Sequence, residues 1–370
     1  MPGLPTATEN EPWQLFRVPV GYLVTMGGMA IAALSALFRH RPRRSSPFRL
    51  SYVFGLWLNW PLVAFLLLVG STALAIDQSG VRSPGLWIGV GLAALVSAAL
   101  VVFGRRAHGT GPALEHALDE GLGGDWRNHV DAELADRLRR RPSLARILLA
   151  PVSSRRRGVE RIANVRYGPA RRANRLDLYR DRSDRSARPV LIHLHPLFGS
   201  KRVGTRHLFH RLAVDGWICV SANYGRADPV VDVLNVIAWV RAHGPEYGAD
   251  RTALFVAGSS LGAQLASRAA FTQGEGTPVA GVICLYGYYG DAGSSAADVP
   301  PFFVAHGDRD SLVVVEDARA FVEHLRASSS NPVVYAELPG AQHGFDLFRS
   351  RRFDTVVDAI EAFAQRVAPR

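Results

Sequence analysis

The first third of the chain is patterned in long apolar blocks. Residues 18–38 and 84–104, 21 each, and residues 50–76, 27 in all, contain no Asp, Glu, Lys or Arg. A helix of 21 residues reaches roughly 32 Å, enough for a hydrocarbon core of about 30 Å, so each block predicts a transmembrane helix. Residues 1–104 therefore read as an N-terminal three-helix membrane anchor. A cleavable secretory signal would need a basic start and a shorter apolar core, whereas the first twelve residues carry Glu9 and Glu11 and no base. Asn59 and Pro61 interrupt the second block. With no ionisable residue in any block, they read as groups satisfied by a neighbouring helix and not as part of an ion pathway. Gly85 and Gly89 form a small-xxx-small pair that lets the third helix approach another closely.

Beyond residue 104 the pattern changes twice. Residues 105–158 read as a basic, partly helical connector, with a helical stretch at 112–122 and a narrow apolar stripe of Val130, Leu134 and Leu138 at four-residue spacing. In 159–370 short apolar runs alternate with amphipathic ones. Strands are predicted at 161–167, 175–179, 190–193, 218–222, 253–256, 281–285, 302–305 and 333–338, and helices at 209–214, 230–242, 263–271, 314–326 and 352–366. Strands separated by helices imply an α/β fold with a mostly parallel central sheet and helices on both faces.

Charge sharpens this division. The formal net charge of +11 is distributed as +4 over 1–104, +9 over 105–189 and −2 over 190–370. The basic excess belongs to the segments flanking the apolar blocks, which argues against a nucleic-acid partner. Lys201 is the only lysine, so the arginine bias reads as genome composition. Arg39, Arg41, Arg43, Arg44 and Arg49 crowd the first loop, Arg82 with Asp77 the second, and Arg105 and Arg106 follow the third block. Positive loops stay inside, which predicts a multi-pass protein of the cell membrane with its C-terminal domain on the cytoplasmic side. The connector's clusters Arg139–Arg141 and Arg155–Arg157 leave two readings open, a surface resting on anionic headgroups or a solvated linker. Cys219 and Cys284, each inside an apolar run, read as buried small hydrophobes.

The chemistry centres on Gly258-Ser259-Ser260-Leu261-Gly262, between a predicted strand and a predicted helix. In that context G-x-S-x-G is a nucleophile elbow, whose glycines admit a tight strand-to-helix turn with Ser260 at its tip. A serine hydroxyl needs a base, and the base a carboxylate that fixes its tautomer. Asp310 in His306-Gly307-Asp308-Arg309-Asp310 and His343 in Gly340-Ala341-Gln342-His343-Gly344 follow two later strands, and so belong to the sheet edge where Ser260 lies. His306 reads as orienting the strand-end turn, and Asp346 as a surface or loop-bracing carboxylate. His193 with His195, and His207 with His210, lack a third ligand, so no metal site is predicted.

The order Ser, Asp, His and the pieces Asn164-Val165-Arg166-Tyr167-Gly168 and Leu176-Asp177-Leu178-Tyr179 resemble the α/β-hydrolase superfamily, near bacterial carboxylesterases and lipases of the hormone-sensitive-lipase group. The resemblance covers about half of the chain. It implies the acid at Asp310 over Asp308, a Ser260–His343–Asp310 triad, and no cofactor or metal. It also implies an oxyanion hole from the Leu261 N–H and one N–H of the loop after His195. That loop, Pro196-Leu197-Phe198-Gly199, departs from the family's H-G-G-G-W pattern, and Pro196 has no N–H, which leaves Leu197 or Phe198. The expected activity is ester hydrolysis at the membrane surface on acyl lipids or other amphiphilic esters. Acyl transfer by the same triad, and a weakly catalytic scaffold, are the alternatives.

Overall fold

The computed structural model describes residues 19–37, 61–79, 81, 83–139, 158–170, 173–183, 187–197, 199–201, 206–272, 278–290 and 299–369. The chain divides into two compact units, with the boundary between Arg105 and Arg106.

In the first unit, α1 (Val20–Leu37), α2 (Pro61–Ser79) and α3 (Pro84–His108, which runs past the boundary) are apolar helices. Proline at the first position of α2 and α3 suits a helix start, where its missing N–H has no intrahelical partner to lose. Among the described residues one helix, beginning at Pro84, is long and apolar enough to cross a membrane. The apolar stretches Val20–Leu34 and Ala64–Ser79 are shorter. Residues 50–60, the start of the expected second span, lie outside the described residues. Gly89 has the close approach its spacing predicts, since a Cβ there would stand 2.6 Å from Tyr22 Cδ1. The Tyr22 hydroxyl in turn pairs with Thr72 Oγ1 at 2.7 Å, joining α1 to α2.

The second unit is built on an eight-stranded sheet in the order β1-β2-β4-β3-β5-β6-β7-β8. Its strands are β1 (Val159–Arg166), β2 (Arg175–Asp181), β3 (Arg188–Leu194), β4 (Ile218–Ala222), β5 (Ala249–Ser259), β6 (Gly281–Leu285), β7 (Phe302–Gly307) and β8 (Val333–Leu338). The β1–β2 and β2–β4 pairs are antiparallel and the rest parallel. The central strands β3–β7 are buried on both faces, which is why they read as short unbroken apolar runs. Helices α6 (Arg206–Val214), α7 (Pro229–His243), α8 (Leu261–Thr272), α9 (Val315–Ser328) and α10 (Arg351–Val367) follow in chain order. Two apolar clusters result, one holding the α6 and α10 residues Phe209 and Phe363, the other the α7, α8 and α9 residues Val236, Leu265 and Phe321. Cys219 and Cys284 are free and buried within them.

The segment read as a connector is, where described, part of this core. Helix α4 (Thr110–Leu122), a 3₁₀ turn (Trp126–His129) and α5 (Ala132–Arg139) bury Leu114, Leu118, Leu122, Trp126 and Leu134 in the same cluster as α10 and β8. The Trp126 indole N–H donates to Asp119 Oδ1 at 2.7 Å, so a large aromatic is buried with its polar atom satisfied. Val130, Leu134 and Leu138 are the visible edge of this docking. Residues 140–157, with Arg140, Arg141 and the second arginine cluster, lie outside the described residues.

Candidate active site

The end of β5 and the start of α8 meet at Ser260, whose φ of 56° is left-handed, a conformation costly for a non-glycine residue. The turn is held by the Ser260 N–H donating to Leu285 O at 2.9 Å and by the Ala263 N–H donating to Ser260 O at 3.0 Å. Both elbow glycines are required by close approach. A Cβ on Gly258 would lie 2.5 Å from Ala263 N, and one on Gly262 would lie 2.7 Å from Leu194 C and 2.9 Å from His195 O. Gly262 is therefore the point where α8 presses on the backbone that enters the loop after β3.

Around Ser260 the structure assembles a continuous hydrogen-bonded chain. His343 Nε2 lies 3.0 Å from Ser260 Oγ, and His343 Nδ1 lies 2.7 Å from Asp310 Oδ2. The other carboxylate oxygen of Asp310 accepts the N–H groups of Leu312 and Val313, both at 2.8 Å. With both oxygens engaged, the acid is fixed in orientation, and the Nδ1–H tautomer leaves Nε2 free to take a proton. Asp308 goes elsewhere, accepting the Gly340 N–H at 2.6 Å, and burial pushes its carboxyl above the ordinary range. His306 braces the turn through Val313 O at 3.0 Å and stands 3.4 Å from Asp310 Oδ2.

The loop after β3 is a tight turn. Pro196 O accepts the Gly199 N–H at 2.8 Å, which engages one of the loop's few donors, and lies 2.8 Å from His195 Nδ1. Leu197, half exposed at 52%, remains as a described residue with an N–H to offer, while Phe198 lies outside the described residues. Leu261, the first residue of α8, contributes an N–H that has no intrahelical acceptor. The His195 ring stacks on Tyr224 with centroids 4.3 Å apart, and the Tyr224 hydroxyl donates to His195 O at 2.6 Å.

The far end of the same loop is anchored by the only lysine. Lys201 Nζ donates to Asn164 Oδ1 at 2.7 Å and to Asp177, and the Lys201 N–H donates to Asn223 Oδ1 at 2.8 Å. Asp177 also accepts the Asn164 N–H at 2.8 Å and the Arg161 guanidinium. Burial alone would raise the Asp177 carboxyl, but the hydrogen bonds from Lys201, Asn164 and Arg161 outweigh it and hold it below the ordinary value. The Asn164 and Asp177 motifs thus hold the loop from β1 and β2.

Of its two sequence readings Asp346 takes the loop-bracing one and not the surface one, since it is only 2% exposed. It accepts the Ser259 hydroxyl at 2.6 Å and the Tyr286 hydroxyl. The paired histidines also have structural partners. His193 Nε2 meets Ser259 Oγ at 3.1 Å, and burial pushes its pKa down to about 3, so its ring is neutral. His207 pairs with Asp354 at 2.5 Å, and His210 packs edge-on to Tyr179. Nothing in local sequence marks the roles of Tyr224 or Lys201, because their partners lie in distant elements.

Comparison with known proteins adds an independent line. A family described as "alpha/beta hydrolase fold" matches residues 209–296. The Mycobacterium tuberculosis protein named "Probable carboxylic ester hydrolase LipM" is 32% identical, covering 94% of this chain and 93% of its own. "Esterase LipC" of the same organism is 34% identical over 53% of this chain and 62% of its own. Among solved structures, the apo form of Thermogutta terrifontis esterase 2 is 21% identical, covering 58% of this chain and 97% of that one with a TM-score of 0.48.

Proposed function

The chain belongs to the α/β-hydrolase family, among its carboxylic ester hydrolases, and from that premise we propose that it cleaves esters through an acyl-enzyme on Ser260. The observation that carries this reading is the chain from Ser260 Oγ through His343 to Asp310, at 3.0 and 2.7 Å. As Oγ attacks the ester carbonyl carbon, His343 Nε2 takes its proton, and Asp310 stabilises the imidazolium. The carbonyl oxygen becomes an oxyanion that accepts the Leu261 N–H and a second N–H from Leu197 or Phe198. Collapse breaks the ester C–O bond, and the imidazolium gives its proton to the departing alcohol. A water, deprotonated by the same His343, then attacks the acyl carbon; the acid leaves and Ser260 recovers its proton.

The same proposal includes a membrane anchor with spans at 18–38, 50–76 and 84–104 and the hydrolase unit on the cytoplasmic side. Apolar helices α1–α3 and the arginine-rich first loop support it. Substrates are then lipid-like esters. The loops after β3, β6 and β7 support that class by exposing Leu197, Tyr288 and Leu312 at the sheet edge of Ser260.

A p-nitrophenyl ester chain-length series on the detergent-solubilised full chain and its Ser260→Ala variant tests both parts. Hydrolysis that favours acyl chains longer than acetyl and is lost in Ser260→Ala is expected. Wild-type turnover by Ser260→Ala overturns the mechanism, and a steady fall in rate beyond acetyl overturns the substrate class.

A further inference from the structure

Beneath the Ser260–His343–Asp310 chain lies a second polar network that the mechanism above does not use. Its centre is Asp346, in the turn three residues beyond His343. One carboxylate oxygen accepts the Tyr286 hydroxyl, and the other accepts the Ser259 hydroxyl at 2.6 Å. Ser259 is the residue immediately before the nucleophile. Having given its one proton to Asp346, the Ser259 hydroxyl can only accept at its 3.1 Å contact with His193 Nε2, so the network assigns that neutral ring its Nε2–H tautomer. Tyr286 closes the circuit. Its ring stands edge-on to the His343 ring with centroids 4.6 Å apart, and its N–H donates to Ala305 O at 2.8 Å. Tyr286 is itself held at a left-handed φ of 41°.

Resting on the reading of Ser260 as nucleophile and His343 as base, we propose that Asp346 is a second positioning carboxylate for His343. It acts through Tyr286, whose ring packs against the imidazole ring while Asp310 and Ser260 engage its nitrogens, and through Ser259, which ties the elbow to the histidine turn. Asp310 fixes the Nδ1 end of the imidazole. The Tyr286 ring fixes its face, and Asp346 fixes Tyr286.

Electrostatics point the same way. Burial pushes the Asp346 carboxyl up, and the Ser259 and Tyr286 hydrogen bonds together with the charge of His343 oppose that rise. That opposition reflects a favourable interaction between the Asp346 carboxylate and a protonated His343 ring. Among the groups facing His343 are Asp310, Ser260 and Tyr286, with His306 behind Asp310. Those facing Asp346 are Ser259, Tyr286 and, beyond Ser259, His193.

The test uses the full chain in detergent with p-nitrophenyl butyrate, active sites being counted by fluorophosphonate labelling. Asp346→Asn should lower kcat per labelled site by about tenfold while KM stays within about twofold, as expected when a coupled buried network loses one member. Its acid limb of kcat against pH should move to lower pH by about half a unit, since the neutral amide no longer offers the imidazolium an opposite charge. Tyr286→Phe should shift the limb in the same direction, and the double variant should be no worse than Asp346→Asn. An unchanged kcat per labelled site, or an acid limb that stays in place while only the labelled fraction and the melting temperature fall, makes Asp346 purely structural and overturns the proposal. Should Asp346→Asn fail to fold, the limb of Tyr286→Phe decides by the same criterion. A wild type that does not label, or a Ser260→Ala variant that hydrolyses at the wild-type rate, overturns the reading of Ser260 itself, before Asp346 enters.

Discussion

Gly262→Ala probes the contact that sets the distance between the nucleophile and the loop after β3. The added methyl would stand 2.7 Å from Leu194 C and 2.9 Å from His195 O, inside the 3.0 Å that real Cβ atoms keep. Both neighbours are backbone, so no side-chain rotation relieves the overlap, and the carbonyls must move by roughly 0.5–1 Å. That movement falls on the residues leading directly into Pro196 and Leu197, while the Leu261 N–H stays with α8. The two oxyanion donors therefore separate. A misplacement of about 1 Å costs on the order of 10²-fold in rate, and complete loss of one donor about 10²–10³-fold. Overpacking of this kind also costs about 1–3 kcal/mol, which at about 2–4 °C per kcal/mol lowers the melting temperature by roughly 2–12 °C. The assay is kcat for a p-nitrophenyl ester per fluorophosphonate-labelled site, with thermal melting alongside. A folded Gly262→Ala protein whose kcat stays within about threefold of wild type would refute the argument that this contact spaces the oxyanion donors.

Four further outcomes are expected. Ser260→Ala and His343→Ala should each lower ester turnover by about 10⁴-fold or more, with the double variant little worse; Asp310→Asn should cost about 10⁴-fold and Asp308→Asn less than about tenfold, as read by steady-state kinetics. Either Leu197→Pro or Phe198→Pro, whichever removes the second donor, should cut kcat by about 10²-fold with thermal melting as the folding control, because Pro196 has no N–H and the Gly199 N–H is already given to Pro196 O. Lys201→Met should leave Asp177 short of a buried partner and cost about 3–5 kcal/mol at neutral pH. The Asp177 carboxyl lies below its unfolded value, so this contribution is full above about pH 3.9 and lost as pH falls through the folded value; wild-type and Lys201→Met melting temperatures should converge in acid. Alkaline phosphatase fused after Arg370 should be inactive if the C-terminal unit is cytoplasmic, and activity of that fusion would refute the orientation.

Much of the candidate site was legible because its determinants are local. A strand buried on both faces must be a short apolar run, and β6 occupies the predicted residues, Gly281–Leu285. The elbow is legible because two glycines at fixed spacing answer to a backbone crowding that any side chain would violate. Asp310 and His343 are legible because strand ends in a parallel sheet fall on one edge, so residues following successive strands converge. The loop after His195 was singled out by the family resemblance, and within it proline's missing N–H and the turn bond from Gly199 to Pro196 O leave Leu197 and Phe198 as the candidate donors.

What the amino-acid sequence determined by itself, then, was the set of apolar helices, the α/β alternation and the order of serine, acid and histidine, each a consequence of periodicity or chain chemistry within a few residues. Tertiary structure alone decided what depends on contacts between distant segments. Ser259 and Asp346 are 87 positions apart, and Lys201 is 24 from Asp177. Helices α4 and α5, polar enough to pass for a linker, belong to the core because α10 and β8 supply the apolar surface that their narrow stripe needs. A buried carboxylate and an exposed one have the same letter; only the fold brings the donors that make the first affordable, and so gives Asp346 and Asp177 their places.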